Sequence, residues 1–209
     1  MTEPRTTPPP IRYAELARRV ADGPVRLSDL VPGDGPLEIE IGFGRGMFLL
    51  ERARAAPGAR VVGIEIKTKW AHLVEQRRLR EGLSNAVALA GDAREILSRS
   101  MDVSRVSRFF VNFPDPWWKK RHAKRRVLST ELLADVHRLL IAGGELYVAT
   151  DVEDRATAVV VELTAHPGFA LDGERGLVDG NPYGARSNRE RRAIEDGLPV
   201  YRILARKRG

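Results

Sequence analysis

The sequence predicts an α/β fold, with a mostly parallel seven-stranded sheet and helices on both of its faces. Short apolar runs alternate with helical patterns, most of about ten to fifteen residues, which is typical of β-α-β units and a parallel sheet. Polar side chains follow five of these apolar runs, at the edge where the carboxyl ends of parallel strands meet. With 209 residues, the chain is long enough to bury a core as one domain.

Seven apolar, β-prone runs are predicted as strands: residues 37–41, 60–66, 86–90, 106–111, 145–149, 169–171 and 200–205. The first run follows a Pro/Gly turn and the fifth follows Gly143-Gly144, because these residue types turn the chain. A polar segment rich in Gly, Asn, Pro and Arg separates the sixth run from the seventh and is predicted as a loop.

Helical spacing of apolar residues predicts the intervening helices: residues 47–56, 69–81, 93–99, 128–140 and 152–166. The second of them is predicted to bury Trp70, Leu73, Val74 and Leu79 on its apolar side. Gly82 is its expected C-cap. The fourth is clearly amphipathic, with five leucines and a valine on one face.

Residues 1–30 are predicted as an N-terminal tail, and residues 31–209 as a single domain. The first ten residues hold four prolines and no apolar stretch, which indicates partial disorder and argues against a signal peptide. Weak helical spacing in residues 11–22 indicates a short helix that docks on the domain. No run approaches the ~18 apolar residues that cross a bilayer, so no membrane partner is expected.

The composition favours an anionic partner. The net charge of +7 is typical of proteins that bind nucleic acids or anionic surfaces, although a merely basic soluble protein has the same balance. The absence of cysteine excludes disulfides and thiolate metal sites and is compatible with a cytoplasmic location. The four histidines are scattered and show no ligand spacing, so no metal is predicted.

Three glycines after the first strand predict a ligand-binding turn. Gly42, Gly44 and Gly46 let the backbone approach a ligand and open a helix behind it, although many such turns bind nothing. Met47 stands where a dinucleotide fingerprint requires glycine. Glu40, just before the turn, repels phosphate and suits a cation.

Two further carboxylates complete this prediction. Glu65 ends the second strand, where it can accept hydrogen bonds from both hydroxyls of a ribose. Asp92 follows the third strand, where it can accept a hydrogen bond from an adenine amino group. Either residue alone would be interpreted as a solvated acid. Together with the glycine turn they indicate a ligand that carries adenosine, a cationic group and no phosphate, which is S-adenosylmethionine.

The segment after the fourth strand, residues 112–126 (NFPDPWWKKRHAKRR), predicts a contact with nucleic acid. Two prolines exclude a helix and hold Asp115 in a stiff turn. Trp117 and Trp118 offer stacking surfaces, or alternatively they anchor the loop in the core. Six Lys and Arg residues within positions 119–126 attract phosphates, although many charge runs are simply solvated.

Six motifs together resemble bacterial tRNA (guanine-N7-)-methyltransferase: EIGFGRG, GIE, GDA, NFPDPWWKKRHAKRR, ATD, and SNRE with GLPVYR. The similarity extends from about residue 37 to about residue 206, and FPDPW with its basic run is specific to that family. The resemblance implies a class I methyltransferase, Rossmann-like fold. It also implies transfer of a methyl group from S-adenosylmethionine to N7 of guanine at position 46, in the variable loop of tRNA. We expect a cytoplasmic monomer or homodimer.

The resemblance implies cofactor contacts by Glu40, Glu65, Asp92 and Asp115, and the predicted site adds Gly42, Gly44, Gly46 and Asn112. Asp115 is also the implied catalytic residue. The implied substrate contacts are Lys119, Asp151, Ser187, Asn188, Arg189 and Glu190. The family usually has Thr-x-aromatic-Glu at the last four positions. Here Ser187 preserves the hydroxyl, whereas Arg189 replaces the aromatic residue with a guanidinium that can contact phosphate or stack.

The chemistry of guanine limits what Asp115 has to do. Guanine N7 carries a lone pair and no proton at neutral pH, so its methylation requires no general base. We therefore expect Asp115 to align the guanine edge or to stabilise the charge that grows on the ring, with Asp151 or Glu190 sharing that edge. Two alternatives remain open. One is an exocyclic-amine RNA methyltransferase, because residues 112–117 loosely resemble the motif of that class. The other is a non-catalytic RNA-binding protein of the same fold.

Overall fold

The computed structural model describes residues 12–114 and 128–209. These residues form a seven-stranded sheet in the order β3-β2-β1-β4-β5-β7-β6. The strands are β1 (Leu37–Ile41), β2 (Arg60–Glu65), β3 (Ala86–Ala90), β4 (Val106–Asn112), β5 (Leu140–Thr150), β6 (Phe169–Leu171) and β7 (Tyr201–Lys207). Strands β1 to β5 run parallel, whereas β7 is antiparallel to both of its neighbours. The predicted, mostly parallel architecture is confirmed.

Helices connect the strands on both faces of the sheet. They are α1 (Tyr13–Leu16), α2 (Met47–Ala55), α3 (Thr68–Arg80), α4 (Ala93–Ser98), α5 (Thr130–Leu139), α6 (Glu153–Ala165) and α7 (Asn188–Glu195), with a 3-10 helix at Leu27–Leu30. Each helix from α2 to α6 begins and ends within two residues of its predicted bounds.

Alternating side chains of the central strands face different cores. In β1, Leu37, Ile39 and Ile41 belong to a large aliphatic core. On β4, Phe110 joins an aromatic cluster, where its ring centroid lies 4.9 Å from that of Tyr183. A sheet buried on both faces explains why the parallel strands consist of nearly continuous apolar runs.

Glu38 is an acidic side chain inside this packing, with no exposed surface. Its carboxylate oxygens lie 2.7 Å from Arg52 Nε and 2.8 Å from Arg108 Nη1. Because both of its oxygens are bound by guanidinium groups, the buried charge is balanced.

The strand order reverses between β1 and β4. The chain builds outward from β1 through β2 to β3, and then crosses to β4 on the other side of β1. A crevice opens at the carboxyl ends of strands on either side of such a switch point. Gly42, Glu65, Asp92, Asn112 and Asp151 all lie at these carboxyl ends. The prediction that they share one edge of the sheet is confirmed.

The buried side of α3 matches the predicted one only in part, since Val74 is buried as predicted. Leu73 and Leu79 are 37% and 53% exposed, whereas the buried side includes the charged residues Glu75 and Arg78. Glu75 Oε2 accepts a hydrogen bond of 2.9 Å from the backbone N–H of Ala88 in β3. Because β3 is an edge strand, its outward N–H group needs an acceptor. Glu75 provides it, so this glutamate lies on the buried side of α3, where helical spacing predicted leucines.

Two predicted turns or loops are regular structure. Strand β5 begins at Leu140, which pairs with Val106 of β4. Arg108, only two residues further along β4, already pairs with Glu145. The glycine pair at 143–144 therefore lies in a bulge within β5 rather than in a turn before it. The predicted polar loop before the last strand contains α7, which Ser187 caps with its hydroxyl.

The segment before β1 packs against the edge of the sheet. The carbonyl of Arg18 accepts a hydrogen bond of 2.8 Å from Ala90 N. Asp102 accepts hydrogen bonds of 2.6 Å from Leu27 N and from Ser28 Oγ. The division of the chain at residue 30 stays a prediction. No helix in the described ranges is long and apolar enough to span a bilayer.

Candidate functional site

The crevice at the carboxyl edge is a cavity of about 710 Å³. Nine predicted site residues contribute to its lining: Gly42, Gly44, Gly46, Glu65, Asp92, Asn112, Ser187, Asn188 and Arg189. Glu40, Asp151 and Glu190 are not among the lining residues. Asp115 and Lys119 lie outside the described residues, as do Trp117, Trp118 and the basic run of residues 119–126.

The glycine turn lies against the cavity through its backbone. Gly42, Gly44 and Gly46 have φ angles of 72°, 54° and 72°, which side chains rarely allow. A Cβ on Gly46 would lie 2.5 Å from Val74, so this glycine also lets α2 and α3 approach each other closely. A Cβ on Gly42 or Gly44 would meet no described atom within 4 Å. The backbone between β1 and α2 is therefore accessible to a ligand.

Beneath the turn, Glu40 and Asn112 form a buried polar pair. Asn112 Nδ2 donates a hydrogen bond of 3.0 Å to Glu40 Oε1. Glu40 Oε2 and Asn112 Oδ1 are buried without a hydrogen-bond partner among the described residues. Burial raises the pKa of Glu40 to about 8. The interactions of Glu40 with Asn112 and with the backbone of Leu49 oppose this increase, and the nearby carboxylate of Glu65 adds to it. The pair therefore presents acceptor oxygens that a buried cation or N–H group can satisfy.

Glu65 joins the glycine turn to the start of α3. Its Oε2 accepts a hydrogen bond of 2.8 Å from Gly44 N, and its Oε1 accepts one of 2.8 Å from Lys67 N. A carboxylate offers about four lone-pair positions, so both oxygens keep acceptor capacity toward the cavity. The two backbone bonds hold the carboxylate in one orientation.

Asp92 forms the next acceptor along the edge. It caps α4 by accepting a hydrogen bond of 2.9 Å from Arg94 N, and Arg94 Nη2 lies 2.5 Å from its other oxygen. The hydrogen bonds from the Arg94 side chain lower the pKa of Asp92. An ionised, oriented acceptor thus lies at the end of β3.

The chain leaves β4 through a strained residue. Phe113 has a φ of 50°, which is rare for a bulky side chain. Its N–H donates to Ala149 O at 2.8 Å, and its ring is buried in the aromatic cluster. The carbonyl of Pro114 accepts a hydrogen bond of 2.7 Å from Arg155 Nη1. Packing therefore fixes the backbone at the cavity up to Pro114, and such strain is concentrated at functional sites.

The N-terminal end of α7 forms part of the cavity wall. Ser187 Oγ accepts a hydrogen bond of 3.1 Å from Glu190 N and begins the helix. Asn188 and Arg189 follow on the lining. Arg189 Nε donates a hydrogen bond of 3.0 Å to Asp151 Oδ2, which links α7 to the end of β5. Asp151 is thus held beside the cavity by a residue that lines it.

The segment around α7 is attached to α2. Glu51 accepts a hydrogen bond of 2.9 Å from Arg186 N and forms an ion pair of 2.5 Å with Arg191. Arg52 Nη1 donates a hydrogen bond of 2.8 Å to the carbonyl of Tyr183. These contacts hold the C-terminal segment against the half of the sheet that carries the glycine turn.

Comparison with known proteins identifies the family to which this site belongs. A protein-family model described as "Putative methyltransferase" matches residues 34–203. The tRNA (guanine-N(7)-)-methyltransferase of Microcystis aeruginosa is 36% identical over 176 residues, which cover 83% of each chain. The enzyme of the same name from Anaeromyxobacter dehalogenans is 38% identical over 190 residues, which cover 87% of this chain and 94% of the relative.

The chain belongs to the tRNA (guanine-N7-)-methyltransferase family.

Solved structures place the fold of this family member among the methyltransferases. The 16S rRNA methyltransferase KamB matches with a TM-score of 0.63 and 17% identity, over 87% of this chain and 92% of that one. TrmN from Thermus thermophilus matches with a TM-score of 0.59 and 23% identity, over 87% of this chain and 46% of that one. The predicted class I methyltransferase fold is confirmed.

One residue that the family resemblance assigns to the substrate lies elsewhere in the structure. Glu190 has no exposed surface, and its Oε1 lies 3.0 Å from Arg202 Nη2. Its Oε2 accepts a hydrogen bond of 3.1 Å from Asn181 Nδ2. Glu190 thus connects α7 to β7 below the cavity lining, and any contact of its carboxylate with guanine stays a prediction.

Sequence reasoning missed the apolar part of the lining of this family member's cavity, which includes Trp70, Ile66 and Phe113. Ile66 is 65% exposed. Helical spacing had assigned Trp70 to a buried side of α3. The signal that could have found it is position, because Trp70 lies in the first turn of α3, directly after the carboxyl end of β2.

Proposed function

We propose that this protein transfers a methyl group from S-adenosylmethionine to N7 of a guanine in tRNA, at position 46 in the variable loop. Membership of the tRNA (guanine-N7-)-methyltransferase family supports the reaction. The observation that carries the proposal for this chain is the polar pair of Glu40 and Asn112 at the switch point of the sheet. Two buried acceptor oxygens without partners suit a cationic ligand such as this methyl donor.

The residues present fit S-adenosylmethionine. We assign the ribose hydroxyls to Glu65 and the adenine amino group to Asp92, because both carboxylates are oriented by backbone hydrogen bonds. The backbone of Gly42 and Gly44 is accessible at the cavity, and Glu40 with Asn112 balances positive charge. When bound, the donor supplies a methyl group on a positively charged sulfur. No phosphate-binding group is required, which agrees with the carboxylate below the turn.

The substrate side of the site is proposed to hold guanine by its edge. Asp151, fixed by Arg189, is an acceptor that suits the N1–H and N2–H₂ edge of guanine. Ser187 and Asn188 are assigned further polar contacts with the substrate from the end of α7. The roles of Asp115 in alignment and charge stabilisation, and of Lys119 in substrate binding, remain proposals for residues outside the described ranges. Guanine N7 carries no proton, so orientation and exclusion of water are the main tasks of these side chains.

The decisive experiment incubates the protein with methyl-labelled S-adenosylmethionine and an unmodified tRNA transcript, and maps the product by cleavage at N7-methylguanosine. We expect one labelled site, at position 46. The matched control is the same tRNA with 7-deazaguanosine at that position, which removes the nucleophile and should abolish labelling. Label on an exocyclic amine would support the alternative amine methyltransferase, and binding of tRNA without any label would support a non-catalytic RNA-binding protein. Because the proposed substrate is tRNA, we expect the enzyme in the cytoplasm.

A further inference from the structure

The ion pair between Arg189 and Asp151 leaves part of the arginine unused. Arg189 Nε donates a hydrogen bond of 3.0 Å to Asp151 Oδ2, and its two Nη groups donate to no residue in the described ranges. Arg52, by contrast, binds Glu38 through both Nε and Nη2, each at 2.7 Å. The Arg189 side chain is 45% exposed and lines the cavity. Its guanidinium therefore keeps N–H donors for a ligand in the cavity.

Both members of this pair are attached to regular structure. Arg189 is the second residue of α7, a helix that the Ser187 hydroxyl caps. Asp151 directly follows β5, where the hydroxyl of Thr150 accepts a hydrogen bond of 3.2 Å from Val152 N. The pair thus presents an acceptor and a donor side by side, in an arrangement that loses little freedom when a ligand binds.

The charge of the pair indicates which kind of ligand it suits. The carboxylate of Asp151 neutralises the guanidinium of Arg189, so an approaching anion meets a negative charge beside the positive one. The carboxylate of S-adenosylmethionine is better matched by Arg45, which lines the same cavity and forms no ion pair within the described part of the chain. A neutral ligand that both accepts and donates hydrogen bonds fits the pair of Arg189 and Asp151 best.

Guanine presents this combination on its Watson–Crick edge. Its O6 accepts a hydrogen bond, and the neighbouring N1–H and N2–H₂ groups donate. Adenine presents the reverse polarity at the first two of these positions, because its N6–H₂ group donates and its N1 accepts. An amino group would then face the guanidinium donors, and a lone pair would face the carboxylate. The pair therefore favours guanine over adenine through the polarity of two adjacent contacts.

We propose that Arg189 and Asp151 act together as a guanine-reading pair, in which an Arg189 Nη group donates to O6 while Asp151 accepts from N1–H and N2–H₂. The inference rests on the proposed tRNA substrate and adds a specificity contact to it. Because Nε is bound to Asp151, the guanidinium reaches O6 from the N1 side of the base. N7 lies on the other side of O6 and stays open to the methyl donor.

The test compares the binding of tRNA transcripts that differ only in the base at position 46. The dissociation constant is measured with S-adenosylhomocysteine present, which carries no methyl group to transfer. In 6-thioguanosine, sulfur replaces O6 and accepts hydrogen bonds weakly. Wild-type protein should bind the guanosine transcript about tenfold more tightly, since the analogue weakens a hydrogen bond from a charged donor. Arg189→Met should bind both transcripts about equally. Equal binding by the wild-type protein, or a preserved preference in Arg189→Met, would overturn the proposal.

Inosine separates a direct contact of Arg189 from a merely structural one. This nucleoside keeps O6 and N1–H but lacks the N2 amino group, so it removes a contact of Asp151. If Arg189 contacts O6, Arg189→Met should still prefer guanosine over inosine, as the wild-type protein does. Loss of that preference as well would show that Arg189 only orients Asp151, and would overturn the contact with O6.

The matched control is Arg192→Met, which removes the same charge from an exposed position on α7 that does not line the cavity. We expect it to keep the wild-type preferences among the three transcripts. Arg189→Met should also keep wild-type affinity for S-adenosylmethionine and a wild-type salt dependence of tRNA binding. Weaker cofactor binding would assign the guanidinium to the carboxylate of the cofactor. A slope of log K against log [salt] reduced by about one would assign it to a phosphate. Either result would overturn the proposal.

The outcome is distinct from that of the proposed reaction. If wild-type protein methylates guanine N7 while Arg189→Met keeps its preference against 6-thioguanosine, the reading pair is wrong and the reaction stands. If Arg189→Met loses that preference while wild-type protein yields no N7-methylguanosine, the reading pair stands and the reaction is wrong.

Discussion

At the scale of single residues, Glu40 shows how burial changes the meaning of a sequence motif. The sequence indicated a carboxylate before a glycine turn and hence a site for a cation. It could not indicate that one oxygen is bound by Asn112 while the other lacks a partner, because that depends on the register of β1 against β4. The protein thus buries an acceptor oxygen that makes no hydrogen bond with a described residue, and such groups are typical of binding sites.

Glu40→Gln should increase the stability of the free protein at alkaline pH. Burial raises the pKa of Glu40 from 4.5 to about 8. The folded state therefore retains a proton that the unfolded chain releases, and this contribution to stability, complete below pH 4.5, is lost as pH rises toward 8. The loss is on the order of 1.4 kcal/mol per pH unit within that window. Denaturant unfolding of both proteins at pH 5 and at pH 9 checks this. The free energy of unfolding of the variant should exceed that of the wild-type protein only at pH 9.

The same substitution should weaken binding of S-adenosylmethionine. A cationic ligand favours ionised Glu40, so wild-type affinity should rise with pH up to about 8, and the glutamine variant should bind weakly and without that rise. Calorimetric titration across this range checks the prediction. A pH-independent affinity in the wild-type protein would contradict the assignment of Glu40 to the cationic group.

At the scale of elements, the sequence located α2 to α6 and all seven strands, because periodicity is a local property. It found only part of the buried side of α3 and did not find the helix α7, and both misses have a physical cause. Glu75 is buried because the neighbouring edge strand offers an N–H group, which is a tertiary fact. Helix α7 is polar, and only its cap at Ser187 and its contacts with distant residues identify it.

Glu75→Ala should destabilise the protein by about 3 kcal/mol, because it leaves the buried N–H group of Ala88 without an acceptor and the Arg78 guanidinium without its carboxylate. The matched control is Glu81→Ala at the end of the same helix. Glu81 pairs with Arg54 and Arg77, whose side chains are 42% and 40% exposed, so its loss should cost under about 1 kcal/mol. Chemical denaturation of both variants measures the difference. Equal losses would show that the acceptor at β3 contributes no more than a surface ion pair.

At the scale of the whole molecule, the two halves of the chain meet across the cavity. The first half supplies the glycine turn and the acceptors at β2 and β3, which the sequence revealed because those residues directly follow their strands. The second half reaches the cavity through α7, whose position depends on Glu51 and Arg52 of α2. Sequence alone named Ser187 and Arg189 through the family resemblance, but the contacts with α2 join positions about 130 residues apart and have no local pattern.

Glu51→Ala should loosen this connection and affect the substrate side of the site. The ion pair with Arg191 is partly exposed, so we expect the KM for tRNA to rise about two- to fivefold, while affinity for S-adenosylmethionine stays unchanged. Glu195→Ala, an exposed acid at the end of α7, is the matched control. Steady-state kinetics with each substrate varied in turn separates the two effects. An equal loss for both substrates would show that Glu51 supports α2 rather than α7.

The backbone contacts at the edge of β3 also bear on how the protein behaves at high concentration. The outward N–H groups of Ala88 and Ala90 are bound by Glu75 and by the carbonyl of Arg18, so this edge offers few free groups to a strand from another molecule. The opposite edge, β6, is three residues long. The segment before β1 thus protects the sheet against intermolecular strand pairing, and shortening the chain past Arg18 would expose a template for aggregation even if the cavity stayed intact.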